Sequence, residues 1–313
     1  KIYRMRGVIV THPAADSGGV TLTSALRPLL ELASVQADVF RGRSRENEPT
    51  RTFGGLFAAQ ALAAAGRTVT DDRRAHSLHV VFLRPGTVGS ATEYSVERLR
   101  DGRGFSSRRV VATQDSGEIL HASVSFHVGE DGYEHTPRPP AVPGPDELPP
   151  AKSWFTAAGD ELDGWYNIYL GSHPVDFRFV GEPPPLAARR GQPSTGLRVW
   201  IRASDPLGDD PVVHASAMTY ASDLFLLASA LLPHGQVFGT GSVVGASLDH
   251  SVWFHRPFRA DEWLLFDKGS LWAGSGRGLT KGSVFDRSGQ LVASVIQEGL
   301  LRLTPATAPH QHR

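Results

Sequence analysis

Asp223, Ser247 and Gln297 are the residues whose types and placement could do chemistry together. In the stretch His214 to Leu232 the apolar residues Tyr220, Leu224, Leu227 and Leu231 recur at spacings of four, three and four, which draws one stripe down a 3.6-residue helix. Asp223, the only acid in that run, falls on or beside the stripe. An unpaired carboxylate there costs on the order of several kcal/mol, so it needs a partner. In the strand expected over Gln290 to Leu303, Gln297 ends the row Leu291, Ala293, Val295. If that row faces the helix, its amide is buried and Asp223 is the obvious partner. Ser247 opens the strand expected over Val243 to Arg256. Strict alternation there groups it with Asp249, Ser251, Trp253 and His255, opposite Leu248, His250, Val252 and Phe254. A carboxylate, a hydroxyl and a carboxamide converging in an interior suit the orientation of one water. The competing, bland reading makes Ser222 or Asp223 the cap of a helix that starts at Leu224.

Other chemistries find little support. The chain has no cysteine, which excludes a thiol nucleophile, a thiolate metal site and disulfides. It contains no G-x-S-x-G elbow, no H-E-x-x-H and no P-loop. Gly239, Gly241 and Gly245 follow a helix rather than a strand, unlike a dinucleotide turn. His76, His79, His250 and His255 lie near strands, but alternation separates His250 from His255, so no metal site is expected. Lysine occurs only at Lys1, Lys152, Lys268 and Lys281, and no Schiff-base site is suggested. No cofactor is expected beyond what a substrate itself carries.

The elements that must position the three residues repeat. A short helix (Leu26 to Leu32), a strand (Val35 to Arg41) and a charged loop (Gly42 to Thr52) lead to an Ala- and Gly-rich helix, Phe53 to Val69. Such small residues let a sheet approach closely. Strands follow at Ala75 to Arg84, Ala91 to Arg100, Phe105 to Gln114 and Glu118 to Val128, with DGRG and DSG as tight turns, so they are antiparallel. After a proline-rich stretch and an aromatic segment the order returns: LRVWIRA, the Asp223 helix, then strands at Val243 to Arg256, Trp263 to Trp272, Gly278 to Asp286 and Gln290 to Leu303. FLRPG at Phe82 returns as FHRPF at Phe254, GRGF as GRGL, and SGEILHAS as SGQLVAS, at an offset near 172 residues, so this is an internal duplication. Two repeats of buried helix and curled antiparallel sheet make an α+β double hotdog. The expected parts are a lead over 1–25, a first repeat over 26–130, a proline-rich and aromatic linker over 131–172, a second repeat over 173–305 and a tail over 306–313.

Acids and bases balance at 32 each, and 40% of the chain is hydrophobic, so no global field favours nucleic acid or an anionic membrane. The apolar runs fall short of a bilayer span, and no membrane insertion is expected. The terminal HQHR is not a peroxisomal signal, which leaves the cytoplasm as the expected compartment.

GGLFAAQAL, HSLHVVFLRPG, RDGRGFSSRRV, TYASDLFLL, LDHSVWFHRPF, DEWLLF and VIQEG resemble, in this order, the motifs of the type II acyl-CoA thioesterases, the TesB-like double-hotdog hydrolases, from about Leu26 to Leu303. The resemblance implies hydrolysis of acyl-CoA by a directly activated water. It implies a catalytic set of an Asp on the second helix, a Thr or Ser on the next strand and a Gln near the end of the last strand. These fall on Asp223, Ser247 and Gln297. It further implies a catalytically degenerate first repeat, which agrees with the absence of an acid between Phe53 and Val69, and pairing of chains into a homo-oligomer. Arg84, Arg108, Arg109, Arg256 and Arg277 are the candidates to meet the phosphates of coenzyme A, since guanidinium groups bind phosphate bidentately. Any single one is more often a solvated strand arginine. Two alternatives remain: a hotdog enoyl-CoA hydratase, against which Asp223 lacks a following Asn-Pro and a nearby His, and a non-catalytic acyl-CoA-binding protein.

Overall fold

The fold follows from a computed structural model that describes residues 3–5, 8–10, 25–45, 48, 51–239 and 242–304. Of the expected lead over 1–25 only residues 3–5, 8–10 and 25 are described, and the tail over 306–313 lies wholly outside the described residues. A small hairpin of β1 (Tyr3–Met5) and β2 (Val8–Val10) comes first, then α1 (Arg27–Leu30), β3 (Ala33–Gln36) and β4 (Val39–Gly42). The single strand expected over 35–41 is thus two, turned at Asp38, whose φ is 55°. Helix α2 (Gly54–Gly66) and strands β5 (Arg74–Phe82), β6 (Thr92–Asp101), β7 (Phe105–Gln114) and β8 (Gly117–His127) complete the first repeat.

The proline-rich stretch is more than a spacer. A 3-10 turn at Pro145–Glu147 leads into α3 (Ala151–Ala157) and α4 (Asp160–Tyr169). These two helices were not expected from sequence. Val142 and Leu148 pack on Trp200, Trp263, Leu265 and Phe285, covering apolar surface that the second sheet half would otherwise expose. Then come β9 (Val175–Phe179), α5 (Pro184–Arg189), β10 (Gly196–Ala203) and α6 (Pro211–Asp223). They are followed by β11 (Val243–Ser247), β12 (Asp249–Phe254), β13 (Leu264–Gly274), β14 (Arg277–Phe285) and β15 (Leu291–Leu303).

Thirteen strands form one antiparallel sheet in the order β3-β4-β6-β7-β8-β5-β12-β15-β14-β13-β10-β9, with β11 on β15. Reading outward from the centre, the first half (β5-β8-β7-β6-β4) has the connectivity of the second (β12-β15-β14-β13-β10), as a duplication requires. The halves meet where Leu78 pairs with Val252, both fully buried. On the concave side α2 and α6 lie against each other and run antiparallel. A Cβ on Gly66 would sit 2.5 Å from Val212, and one on Gly55 would sit 2.9 Å from Asp223 Cβ. Gly55 to Ala65 are all buried, which explains the small residues: two helices wrapped by one sheet must approach closely.

Helix α6 departs from expectation at its end. It starts at Pro211, with Asp210 accepting a hydrogen bond from the Val212 N–H at 2.8 Å. It stops at Asp223 rather than running to Leu232. Leu224 is extended, Phe225 takes φ 63°, and two 3-10 turns, Leu227–Ala230 and Leu232–His234, finish the segment. Asp223 therefore terminates a helix and does not cap a following one. Contrary to the expectation of short apolar runs, residues 211–234 together are long and apolar enough to cross a bilayer by composition; 89% of that window is buried inside this fold.

Candidate active site

The end of α6, the end of β11 and the middle of β15 converge on one point. Gln297 is fully buried, and its Nε2 donates to Asp223 Oδ1 at 2.5 Å and to Ser247 Oγ at 2.9 Å. Amide nitrogen must face the carboxylate here, because the amide oxygen would repel it. Both N–H groups are thereby used, which leaves Gln297 Oε1, buried without a protein partner, the Ser247 hydroxyl proton and Asp223 Oδ2 as the free functions.

Ser247 reaches this point by a device that strict alternation does not foresee. The strand expected over Val243 to Arg256 breaks at Leu248. Ser247 pairs with Gly299, whereas Ser251 pairs with Ile296, a one-residue shift in register that reverses which side each side chain takes. Ser247 therefore shares the inner side with His250, Val252 and Phe254 instead of lying opposite them. Ala293, Val295 and Gln297 face inward as expected and are fully buried, whereas Leu291, the start of that row, packs on the Trp200 and Trp263 cluster, because the register shifts between Val284–Ala293 and Phe285–Leu291.

The first repeat supplies the facing wall. A Cβ on Gly54 would lie 3.3 Å from Asp223 Oδ2, so the start of α2 abuts the acid. Among the described residues no side chain caps this helix. The N–H groups of a first turn have no carbonyl behind them, and the helix dipole places positive potential there. Glu48 accepts from the Phe53 N–H at 3.0 Å and is held above the usual carboxylate range by burial. Phe53 packs edge-on against His173 and Tyr220. The Tyr220 hydroxyl lies 2.7 Å from His173 Nδ1 and accepts from Arg45 at 3.2 Å. Burial drives His173 well below the ordinary histidine range and raises Tyr220.

Two further titratable groups adjoin Asp223. The Ser222 hydroxyl donates to the Thr219 carbonyl at 2.9 Å, so its contact with His250 Nε2 at 2.8 Å is one in which the imidazole donates. The other ring nitrogen, Nδ1, is buried with no partner, and desolvation lowers the pKa of this histidine. On β13, Lys268 is 3% exposed and donates to the Leu224 carbonyl at 2.6 Å. Neither Lys268 nor the Gly54–Gly55 wall was foreseen, although each left a trace. Lys268 continues the alternate row Leu264, Phe266, and adjacent glycines opening a helix mark a close approach.

The arginines do not gather at this point. Arg108 corrects the expectation of a phosphate ligand. It is 1% exposed, and its donors go to Thr68 Oγ1 (2.7 Å), Thr68 O (2.9 Å), Asp101 Oδ1 (2.7 Å), Arg100 O (3.1 Å) and Ser107 O (3.0 Å). That exhausts the five N–H groups of a guanidinium. Arg84 donates to the Ser116 carbonyl, Arg109 pairs with Glu97 and Arg256 with Glu134. Arg277, 3.6 Å from Glu298, lies across from Leu300 on the ladder that carries Gln297. Among the described residues no group of three or more His, Asp or Glu could hold a metal ion.

Two central helices wrapped by one antiparallel sheet common to both repeats, with a buried acid, carboxamide and hydroxyl meeting between them, define a double-hotdog protein. The sequence model described as acyl-CoA thioesterase matches residues 172–300, and that described as acyl-CoA thioesterase N-terminal domain matches residues 44–127. Human acyl-coenzyme A thioesterase 8 is 35% identical over 302 residues, covering 94% of this chain and 92% of that protein. Acyl-CoA thioesterase 2 of Haemophilus influenzae is 34% identical, with 88% and 96% covered. The crystal structure of an acyl-CoA thioesterase II, TesB2, from Mycobacterium marinum superposes with a TM-score of 0.72 at 40% identity, covering 89% of this chain and 98% of that one. The chain belongs to the TesB-like acyl-CoA thioesterase family, and it is an acyl-CoA thioester hydrolase.

Proposed function

We propose that the chain hydrolyses fatty acyl-CoA to fatty acid and coenzyme A by direct attack of a water held by Asp223, Ser247 and Gln297. The observation that carries this reading is the Gln297 amide, which donates to both Asp223 and Ser247 from a fully buried position. It fixes the carboxylate while leaving Oδ2 free. Asp223 Oδ2 takes a proton as the water oxygen attacks the thioester carbonyl carbon, and the Ser247 hydroxyl completes the hydrogen bonds of that water. The charge that develops on the carbonyl oxygen falls to the uncapped N–H groups at the start of α2. Collapse expels the thiolate of coenzyme A, which recovers the proton from Asp223. Neither an acyl-enzyme nor a metal-bound water enters this sequence. The second repeat (173–305) thus carries the acid, and the first (26–130) serves as its wall. Arg84, Arg256 and Arg277, all at least partly exposed, are the candidates that this reading keeps for the phosphates of coenzyme A, although Arg84 donates to the Ser116 carbonyl and Arg256 pairs with Glu134.

The test is thiol release from straight-chain acyl-CoAs by wild-type protein and Asp223→Asn. Loss of a general base is expected to lower kcat about 10²- to 10⁴-fold with folding intact. Full activity in Asp223→Asn would remove the acid from the mechanism. Acyl-CoA binding without thiol release would make the chain a binding protein, and enoyl-CoA consumption without thiol release would make it a hydratase.

A further inference from the structure

Lys268 has no part in the mechanism above, yet it is built into the end of the helix that carries the acid. Its side chain leaves β13 for the interior, lies 4.2 Å over the Phe266 ring and donates to the Leu224 carbonyl at 2.6 Å. Leu224 is the first residue past Asp223. There the chain leaves helical geometry (ψ 117°) and then enters the left-handed region at Phe225, which costs free energy for a residue with a Cβ. Carbonyls at a helix C-terminus lack N–H partners and carry negative potential, so an ammonium is the favoured donor to one of them. A shorter or apolar residue at 268 would leave that buried carbonyl without this donor.

The charges around Lys268 are few. Among the described residues Asp223 on α6 is the one charged group whose field favours its ammonium form. From β10, Arg198 points to solvent and pairs with Asp267 at 3.0 Å. From β14, Arg277 and Lys281 are exposed. The 3-10 turn Leu227–Ala230 holds no titratable group, and His250 on β12 contacts Ser222.

We propose that Lys268 is a positioning residue for thioester hydrolysis: by holding the Leu224 carbonyl it fixes the turn that aims Asp223 at Gln297 and Ser247, and its positive charge balances that carboxylate. The proposal rests on the reading of Asp223 as the base. Burial pushes the Lys268 ammonium down to about 7. The charged form therefore exists below that value and disappears as pH rises through it, taking with it the stronger donor to Leu224 and the counter-charge to Asp223. Wild-type kcat should fall on an alkaline limb centred near neutrality.

The experiment is kcat and KM for a straight-chain acyl-CoA from about pH 5.5 to about pH 9, a range that brackets a lysine lowered this far, with a dithiodipyridine reagent reading the thiol. Wild type, Lys268→Met, Lys268→Arg and Asp223→Asn are compared, each checked for folding by near-UV circular dichroism. Lys268→Met keeps the stem and removes the donor and charge. Its kcat is expected to fall about tenfold or more below neutrality, with KM within about twofold and the alkaline limb gone. Lys268→Arg cannot lose its proton; it should recover part of the rate and carry it through the limb. Should the variants fold poorly, the wild-type profile decides alone, and a flat profile from about pH 6 to about pH 9 overturns the proposal. So does a folded Lys268→Met with wild-type kcat and an unchanged limb. An inactive Asp223→Asn beside such a result leaves the base assignment standing and removes only Lys268, whereas an active Asp223→Asn removes the base reading first.

Discussion

Gln297→Leu isolates the residue on which the site geometry turns. The replacement is close in size and enters a row already lined by Ala293 and Val295, so the main loss is of two hydrogen bonds, to Asp223 Oδ1 at 2.5 Å and Ser247 Oγ at 2.9 Å. Two effects oppose each other. Without its donor the carboxylate becomes a stronger base, a gain of roughly threefold in rate if about half of a charge-assisted bond is felt in the transition state. Against this, Asp223 and Ser247 lose the group that holds both, and misplacement of a reacting group by about 1 Å costs about 10²-fold. Orientation wins, and kcat should fall about 30-fold, close to 2 kcal/mol in activation free energy. The folded state should lose about 1–3 kcal/mol, the cost of leaving a buried acceptor without its partner. The assay is thiol release followed with a colorimetric reagent, which reads only coenzyme A because the chain contains no cysteine. A folded Gln297→Leu protein with kcat within about twofold of wild type would show that the convergence of these side chains is structural and that the water is held elsewhere.

Gly55→Ala places a methyl 2.9 Å from Asp223 Cβ and 2.5 Å from the Phe53 ring, so one of them must move. Steady-state kinetics should show kcat reduced about tenfold or more, with a smaller change in KM, and unchanged kinetics would remove the start of α2 from the site. Glu48→Gln tests a buried acid whose pKa burial raises while the Phe53 N–H and Arg45 oppose. An acid held above its unfolded-state value contributes stability below that value and loses it as pH rises through the folded-state one. The variant, which keeps an oxygen for the Phe53 N–H, should therefore gain in Tm relative to wild type as pH rises out of the carboxylate range. Thermal melts showing a constant difference, or one of opposite sign, would contradict this.

What the sequence disclosed follows from period and covalent order. Phe105–Gln114 is the strand that alternation predicts, and the inward row that ends at Gln297 comes from the same rule. Repetition of FLRPG as FHRPF foretold two like halves, and each segment begins at the last residue of one of the two central strands, β5 and β12. What stayed hidden was set by tertiary context. Nothing in Asp223-Leu-Phe-Leu-Leu marks a helix end, because Leu and Ala continue a helix readily; the stop comes with the left-handed Phe225 and with Lys268, which reaches Leu224 from β13. The break at Leu248 is equally silent, since VVGASLDHSVWF reads as one alternating strand, yet without it Ser247 would face away from Gln297. Arg108 misled because a guanidinium suits phosphate and a buried network alike, and only burial separates the two. The segment with Trp154 and Trp165 revealed that it is ordered but not that α3 and α4 lie in it.

The contact between the start of α2 and the last residue of α6 bears on what tandem fusion makes possible. In a dimer of identical single hotdogs, every substitution appears in both subunits, so a helix cannot keep an acid for one cleft while becoming bare backbone in the other. Joining the copies lifts that constraint. One helix can open on glycines until its backbone lies close against its neighbour's carboxylate, while the other keeps the acid. On the proposed mechanism, neither half expressed alone is expected to turn over a thioester, however well it folds.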